Sequence, residues 1–173
     1  RRRLDHWESL EGTDLTGRVI VITGATSGLG LEAARSFARM GATLTLIGRN
    51  PSKLASTCAE LRASTGNTHI HELVADTGDL AALQRAATQL RVLYPQIHVL
   101  IHNAGALDDV RNESPEGTEL TVASQVVGPV LLTELLLPAL RAAKGARVLW
   151  VSSGGMYSEP LSVAKLEMTP ADY

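Results

Sequence analysis

At 173 residues the chain suits one domain, and its 45% hydrophobic share supplies a sizeable core. A formal net charge of -2 gives no overall positive field, which sets nucleic acid and acidic membrane surfaces aside as partners. Cys58 is the single cysteine, so neither an internal disulfide nor a multi-cysteine metal site is available, and a reducing, cytoplasmic setting is expected.

The three arginines Arg1, Arg2 and Arg3 read as a solvated end, and residues 1–17 lack the apolar core of a secretory signal. They are taken as an N-terminal extension to a domain over 18–173. From there short apolar runs alternate with helical periodicity, the pattern of a parallel sheet covered on both faces. Strands are predicted over 18–23, 42–47, 69–75, 98–102 and 147–152. Between them Leu29, Ala33 and Phe37, then Leu54, Cys58 and Leu61, then Leu80, Leu83, Ala87 and Leu90 recur three or four residues apart, as helix faces do. Gly41 suits the end of the first helix, while Asn50-Pro51 and Ser114-Pro115 each offer a capping side chain ahead of a first-turn proline. A long apolar helix is expected over 116–142. Its window 120–140 holds Glu134, Gln125 and two prolines, which favours a buried helix over a membrane span. Right-handed crossovers then give an α/β, Rossmann-type doubly wound parallel sheet, with a ligand beyond the carboxyl ends of its strands.

Gly24, Gly28 and Gly30 fall at that carboxyl end, between the first strand and the first helix. Free backbone N–H groups and the positive end of a helix dipole suit a dinucleotide pyrophosphate there, and a bare backbone lets it come close. Tight strand-to-helix packing would also use glycines. A nucleoside triphosphate P-loop is disfavoured, because Leu31 stands where its lysine would follow Gly30.

The spacing Thr23-Gly24-x-x-x-Gly28-x-Gly30 resembles the cofactor loop of the short-chain dehydrogenase/reductase superfamily. "LIHNAG", 100–105, resembles that family's Asn-Ala-Gly motif, Asp76 matches its adenine-contacting acid, and "RVLWVSS", 147–153, its strand leading into the catalytic serine. "GRNPSKL", "GPVLLTELLLPAL" and "VSSGGM" look most like the retinol-dehydrogenase-like branch. The resemblance implies a nicotinamide cofactor held by Gly24, Thr26, Ser27, Gly28, Leu29, Gly30, Arg49, Asn50, Asp76, Thr77, Asn103, Ala104 and Gly105, with no metal. Taken singly, Asn103 would also cap a strand end, Asp76 serve a turn, and Ser152 and Ser153 act as turn hydroxyls.

At the end of the second strand an acid would accept hydrogen bonds from ribose hydroxyls and repel a 2′-phosphate. Gly48-Arg49 stands there instead, and a guanidinium meets a phosphate bidentately, so NADP(H) is expected ahead of NAD. In the resembling family a Tyr beside a Lys exchanges a proton with the substrate oxygen and a Ser polarises it. The phenol has to be brought from about 10 toward neutrality by nearby positive charge. Ser153 maps onto that serine. The Tyr-x-x-x-Lys pair is missing: Leu161 lies four residues after Tyr157, and Tyr173 is the last residue. "SVAKLEMTPADY" is therefore read as an interrupted approach to the active site, with the sheet cut short after its fifth strand. The family's catalytic Asn maps onto Gln125. Pro129, four residues on, has no N–H to occupy the Gln125 carbonyl, which would leave that carbonyl free for the family's water-holding role. A plain helix kink at Gly128-Pro129 explains the same residues equally well.

Two readings stand. One is an NADP(H)-dependent short-chain oxidoreductase acting on a carbonyl or alcohol substrate, with a homodimer through the long helix as its family implies. The other is a non-catalytic NADP-binding regulatory or scaffold protein. A sugar-nucleotide epimerase is opposed by the glycine spacing.

Overall fold

The computed structural model describes residues 12–106, 109–157, 160, 162, 163 and 166. Five strands, β1 (Val19–Thr23), β2 (Thr43–Gly48), β3 (Ile70–Val74), β4 (Val99–His102) and β5 (Arg147–Trp150), form one parallel sheet in the order β3-β2-β1-β4-β5. The helices are α1 (Gly28–Arg39), α2 (Pro51–Thr65), α3 (Leu80–Leu93), α4 (Leu120–Val122) and α5 (Gly128–Ala142). A π turn over Ala123–Val127 joins the last two. The direction in which successive strands are added to the sheet reverses between β1 and β4, so a crevice opens at the carboxyl ends of these two parallel strands.

At β1, β2 and β4 the sheet is buried on both faces, because successive side chains of each strand serve opposite layers. Ile20 and Ile22 of β1 join Leu44, Leu46, Leu54 and Leu61 under α1 and α2. Val21, between them, joins Leu83, Leu90, Leu132 and Leu136 under α3 and α5. The run Leu120–Ala142, 23 residues holding an 18-residue window of mean hydropathy 1.7, is by length and composition able to cross a membrane. Here Leu132, Leu136, Ala139 and Leu140 of that run fill the second layer. Leu15, in the segment read as an extension, packs on the first layer, and its N–H donates to the Met40 carbonyl at 2.7 Å.

Most caps act as expected. Asn50 Oδ1 accepts from the Lys53 N–H at 2.9 Å and Gly41 follows α1 with φ of 83°; Asp79, not expected as a cap, also accepts through Oδ1 from Ala82 at 2.8 Å. Two expectations change. Ser114-Pro115 opens no helix, because Ser114 Oγ accepts from Glu116 and Thr118 and closes a turn around itself. The helix starts at Leu120, where both carboxylate oxygens of Glu119 accept from the Thr121 and Val122 amides at 2.9 and 2.8 Å. On α1 the buried face is Gly30, Ala34 and Ala38; Leu29, expected inside, is 80% exposed, since residue 30 rather than 29 approaches β4. Cys58 lies buried in α2, and burial pushes its thiol up to about 11, as suits a small apolar residue.

Candidate functional site

A cleft of about 610 Å³ lies over the crevice. Its floor is a knot made by Thr23. The Thr23 hydroxyl oxygen accepts from the Asn103 amide at 3.1 Å and the Ala104 amide at 3.0 Å. The Asn103 side chain returns across the gap, its Nδ2 donating to the carbonyls of Thr23 and Gly24, both at 3.1 Å. β1 and β4 are thus stitched together beyond the point where their ladder ends.

The glycines fit into this knot. Gly24 has φ of 68°, and a Cβ on it would lie 2.7 Å from Ala104 Cα. A Cβ on Gly30 would collide with Asn103 Nδ2 and stand 2.6 Å from the Gly24 carbonyl oxygen. Gly28 has φ of 54°, with nothing within 4 Å of where its Cβ would be. Ser27 caps α1 in an extended conformation without a side-chain hydrogen bond. The first-turn amides of α1 have no intrahelical acceptor, and Ser27, Leu29 and Gly30 line the cleft.

Twelve of the thirteen residues expected at a cofactor are close together. Gly24, Thr26, Ser27, Leu29, Gly30, Arg49, Asn50, Asp76, Thr77, Asn103, Ala104 and Gly105 all line the cleft, and Gly28 lies on the loop between them. At one end Arg49 Nη1 stands 4.0 Å from Asp76 Oδ2, with the guanidinium side chain 71% exposed. The other Asp76 oxygen, Oδ1, accepts from the Gly78 amide at 2.9 Å, so the turn role and the place at the cleft coexist.

Sequence reasoning missed several wall residues. Lys53 adds a second cation to the lining that holds Arg49, and Leu120, Thr121 and Ser124 line it as well. Lys53 carried a signal, standing in the first turn of a helix that opens at Asn50-Pro51. The α4 residues carried none, because the turn before them was read as helix. Thr23 was seen as part of a spacing, and only the fold reveals its hydroxyl as the junction.

The two residues expected to carry chemistry stand outside the cleft lining. Gln125 sits in the π turn, its Nε2 donating to the Ala106 carbonyl at 2.5 Å. Ser153 is exposed just past β5, its Oγ accepting from the Gly155 amide at 3.2 Å; Val151, two residues earlier, reaches the cleft wall. Tyr157 ends a 3-10 turn over Gly154–Tyr157, and Tyr173 lies outside the described residues. His102 is buried, 5% exposed, and hydrogen-bonded through one ring nitrogen. Its Nε2 lies 2.8 Å from Thr133 Oγ1, and that hydroxyl donates to the Pro129 carbonyl at 2.9 Å. Nε2 must then carry the hydrogen, leaving Nδ1 buried without a partner. Burial pushes the imidazole down to about 4.

A family model described as short chain dehydrogenase matches residues 18–163. The chain is 35% identical over 154 residues to mouse (Mus musculus) polyprenol dehydrogenase, spanning 87% of this chain and 46% of that one. Against bovine (Bos taurus) retinol dehydrogenase 12 it is 36% identical over 139 residues, spanning 80% and 44%. A structure described as a short chain dehydrogenase from Escherichia coli CFT073 complexed with NADPH superposes with a TM-score of 0.69 at 32% identity, covering 79% of this chain and 58% of that one. The chain thus spans about half the length of the curated relatives it matches. A parallel sheet with its crevice at the β1/β4 reversal, the glycine loop above it and these matches together place the chain in the short-chain dehydrogenase family, in its retinol-dehydrogenase-like branch.

Proposed function

We propose that the chain is the nucleotide-binding part of an NADP(H)-dependent oxidoreductase that interconverts a carbonyl and an alcohol. The observation that carries this reading is Arg49 at the carboxyl end of β2, which with Lys53 lines a cleft whose floor admits glycine at Gly24 and Gly30. A glycine cradle that a Cβ would fill, next to free first-turn amides, fits a pyrophosphate; two cations at the far end fit a 2′-phosphate. The solved relative bound to NADPH supports the same cofactor.

In this reading the α1 amides and Thr26 hold the pyrophosphate, and Arg49 and Lys53 the 2′-phosphate. Arg49 then exchanges its 4.0 Å approach to Asp76 for a charge-assisted contact to phosphate, which frees Asp76 for the adenine edge. Asn103 keeps the floor rigid, because its amide nitrogen is committed to two carbonyls. When bound, the nicotinamide supplies hydride chemistry. Gln125 stands next to the loop Asn103–Ala106, tied to it through the Ala106 carbonyl. Ser153 is the hydroxyl assigned to polarise the substrate oxygen.

A second reading, NADP binding without turnover, is favoured by one observation: Ser153 is exposed and outside the cleft lining. Loss of absorbance at 340 nm on mixing the protein, NADPH and a panel of aldehydes and ketones separates the two. Turnover that disappears in Ser153→Ala supports the oxidoreductase. Saturable NADPH binding with no turnover for any carbonyl supports the binding protein.

A further inference from the structure

The helical segment from Leu120 to Gly128 touches both halves of the cleft. On the nicotinamide side, Gln125 Nε2 donates to the Ala106 carbonyl, and a Cβ on Gly105 would meet Gln125 Oε1 at 3.5 Å. On the adenine side, the loop that carries Asp76 presses on the same segment. A Cβ on Gly78 would lie 2.8 Å from Leu120 Cδ1 and 3.6 Å from Ser124 Cβ, and a Cβ on Gly128 would collide with the carbonyl oxygen of Thr77.

Gly128 is also where the helix changes register. Its N–H donates to the Ala123 carbonyl, five residues back, closing the π turn, and the next residue, Pro129, has no N–H to restore the α register at Gln125. A Cβ on Gly128 would stand 3.1 Å from the Ala123 carbonyl oxygen and 3.0 Å from Leu83 Cδ1 as well, so the position is walled on three sides. A π turn has an alternative, ordinary α winding, and contact with a neighbouring loop is what selects between two such packings.

We infer that Gly128 is a positioning residue: its bare Cα lets the Thr77 carbonyl seat against the π turn, so that filling the adenine end of the cleft steadies the turn that carries Gln125. This rests on the nucleotide reading above. The coupling is mechanical and local, through Thr77 to Gly128 and on to Gln125 within one helical turn. It makes the nicotinamide-side wall firmest when the adenosine half is already in place.

The probe is adenosine 2′,5′-bisphosphate, which carries the adenine end of NADP and no nicotinamide. Residue-resolved hydrogen exchange is read at the Val127 and Gly128 amides, neither of which belongs to a residue lining the cleft. The Cys58 and Leu61 amides of α2 report global stabilisation by ligand. The expected result is slowing at Val127 and Gly128 that exceeds the slowing at Cys58 and Leu61 by about tenfold. Gly128→Ala is expected to lose that excess while slowing at the Gly24–Gly30 loop persists. Slowing at Val127 and Gly128 no greater than at α2 overturns the inference and leaves the nucleotide reading intact. So does an excess that survives in Gly128→Ala. If the variant does not fold, the wild-type comparison decides alone. No slowing anywhere at saturating probe overturns the nucleotide reading and this inference with it.

Discussion

The two sides of the sheet's crevice are built to different standards. Around β1, the glycine loop and Asn103, the Thr23 hydroxyl oxygen and the Asn103 side-chain nitrogen are each committed to two partners across the junction, and a methyl added at Gly24 or Gly30 would collide with backbone. At β5 the strand is the sheet edge, Leu149, Trp150 and Val151 are 45%, 47% and 53% exposed, and Ser153 stands outside the cleft lining. The first side is a rigid mould, the second a surface open to further contacts. On the proposed reading, nucleotide binding rests on the first side and carbonyl chemistry on the second.

The largest effect expected is at the mould. Gly30→Ala forces Asn103 and the Gly24 carbonyl apart, which costs about 1–3 kcal/mol of stability and lowers NADPH affinity by about a hundredfold. Urea unfolding and calorimetric titration report the two. An affinity within a factor of about three of wild type would mean that the floor is not where the pyrophosphate sits.

Next comes the buried imidazole under the junction. His102 is held at about 4 when folded and lies near 6.5 when unfolded, so between these values the unfolded chain binds a proton that the folded one refuses. Stability is therefore lost as the pH falls from about 6.5 to about 4, by at most about 3 kcal/mol from this residue. His71 and His98, also lowered by burial, act with the same sign. In His102→Gln the difference between unfolding at pH 7 and at pH 4.5 should shrink; an unchanged difference would remove His102 from the account.

Arg49→Ala sharpens the comparison at the cleft's open end. With the guanidinium 71% exposed, stability should stay within about 0.5 kcal/mol, while preference for NADPH over NADH falls about tenfold. The smallest effect belongs to the β5 edge. Leu149→Lys should change stability by less than about 0.5 kcal/mol and reduce self-association in sedimentation velocity, because a charge on an open edge discourages strand pairing.

What the sequence revealed follows the same division. The five strands and the glycine loop were legible because apolar runs and backbone-permissive residues are local signals. Asn50 was legible as a cap for the same reason, whereas the Asp79 cap was not read. Ser114-Pro115 misled, since a serine before a proline also closes a turn; the true cap, Glu119, is an acid that sequence alone treats as a surface charge. Leu29 misled because α1 presents its glycine, not its leucine, to β4. The π turn at Gln125 was half legible: Pro129 announced a missing donor, but only the seat of Thr77 against Gly128 shows which way the helix accommodates it. Ser124 reaches the cleft from an element far along the chain from the glycine loop, and such convergence leaves no local trace.

The central claim, a cleft made for NADP(H), is tested most directly by calorimetric titration of the protein with NADPH and with NADH under the same conditions. The account predicts saturable one-to-one binding of NADPH, displaced by adenosine 2′,5′-bisphosphate, with NADH about tenfold weaker or more. NADH binding as tightly as NADPH, or neither binding saturably, would contradict it.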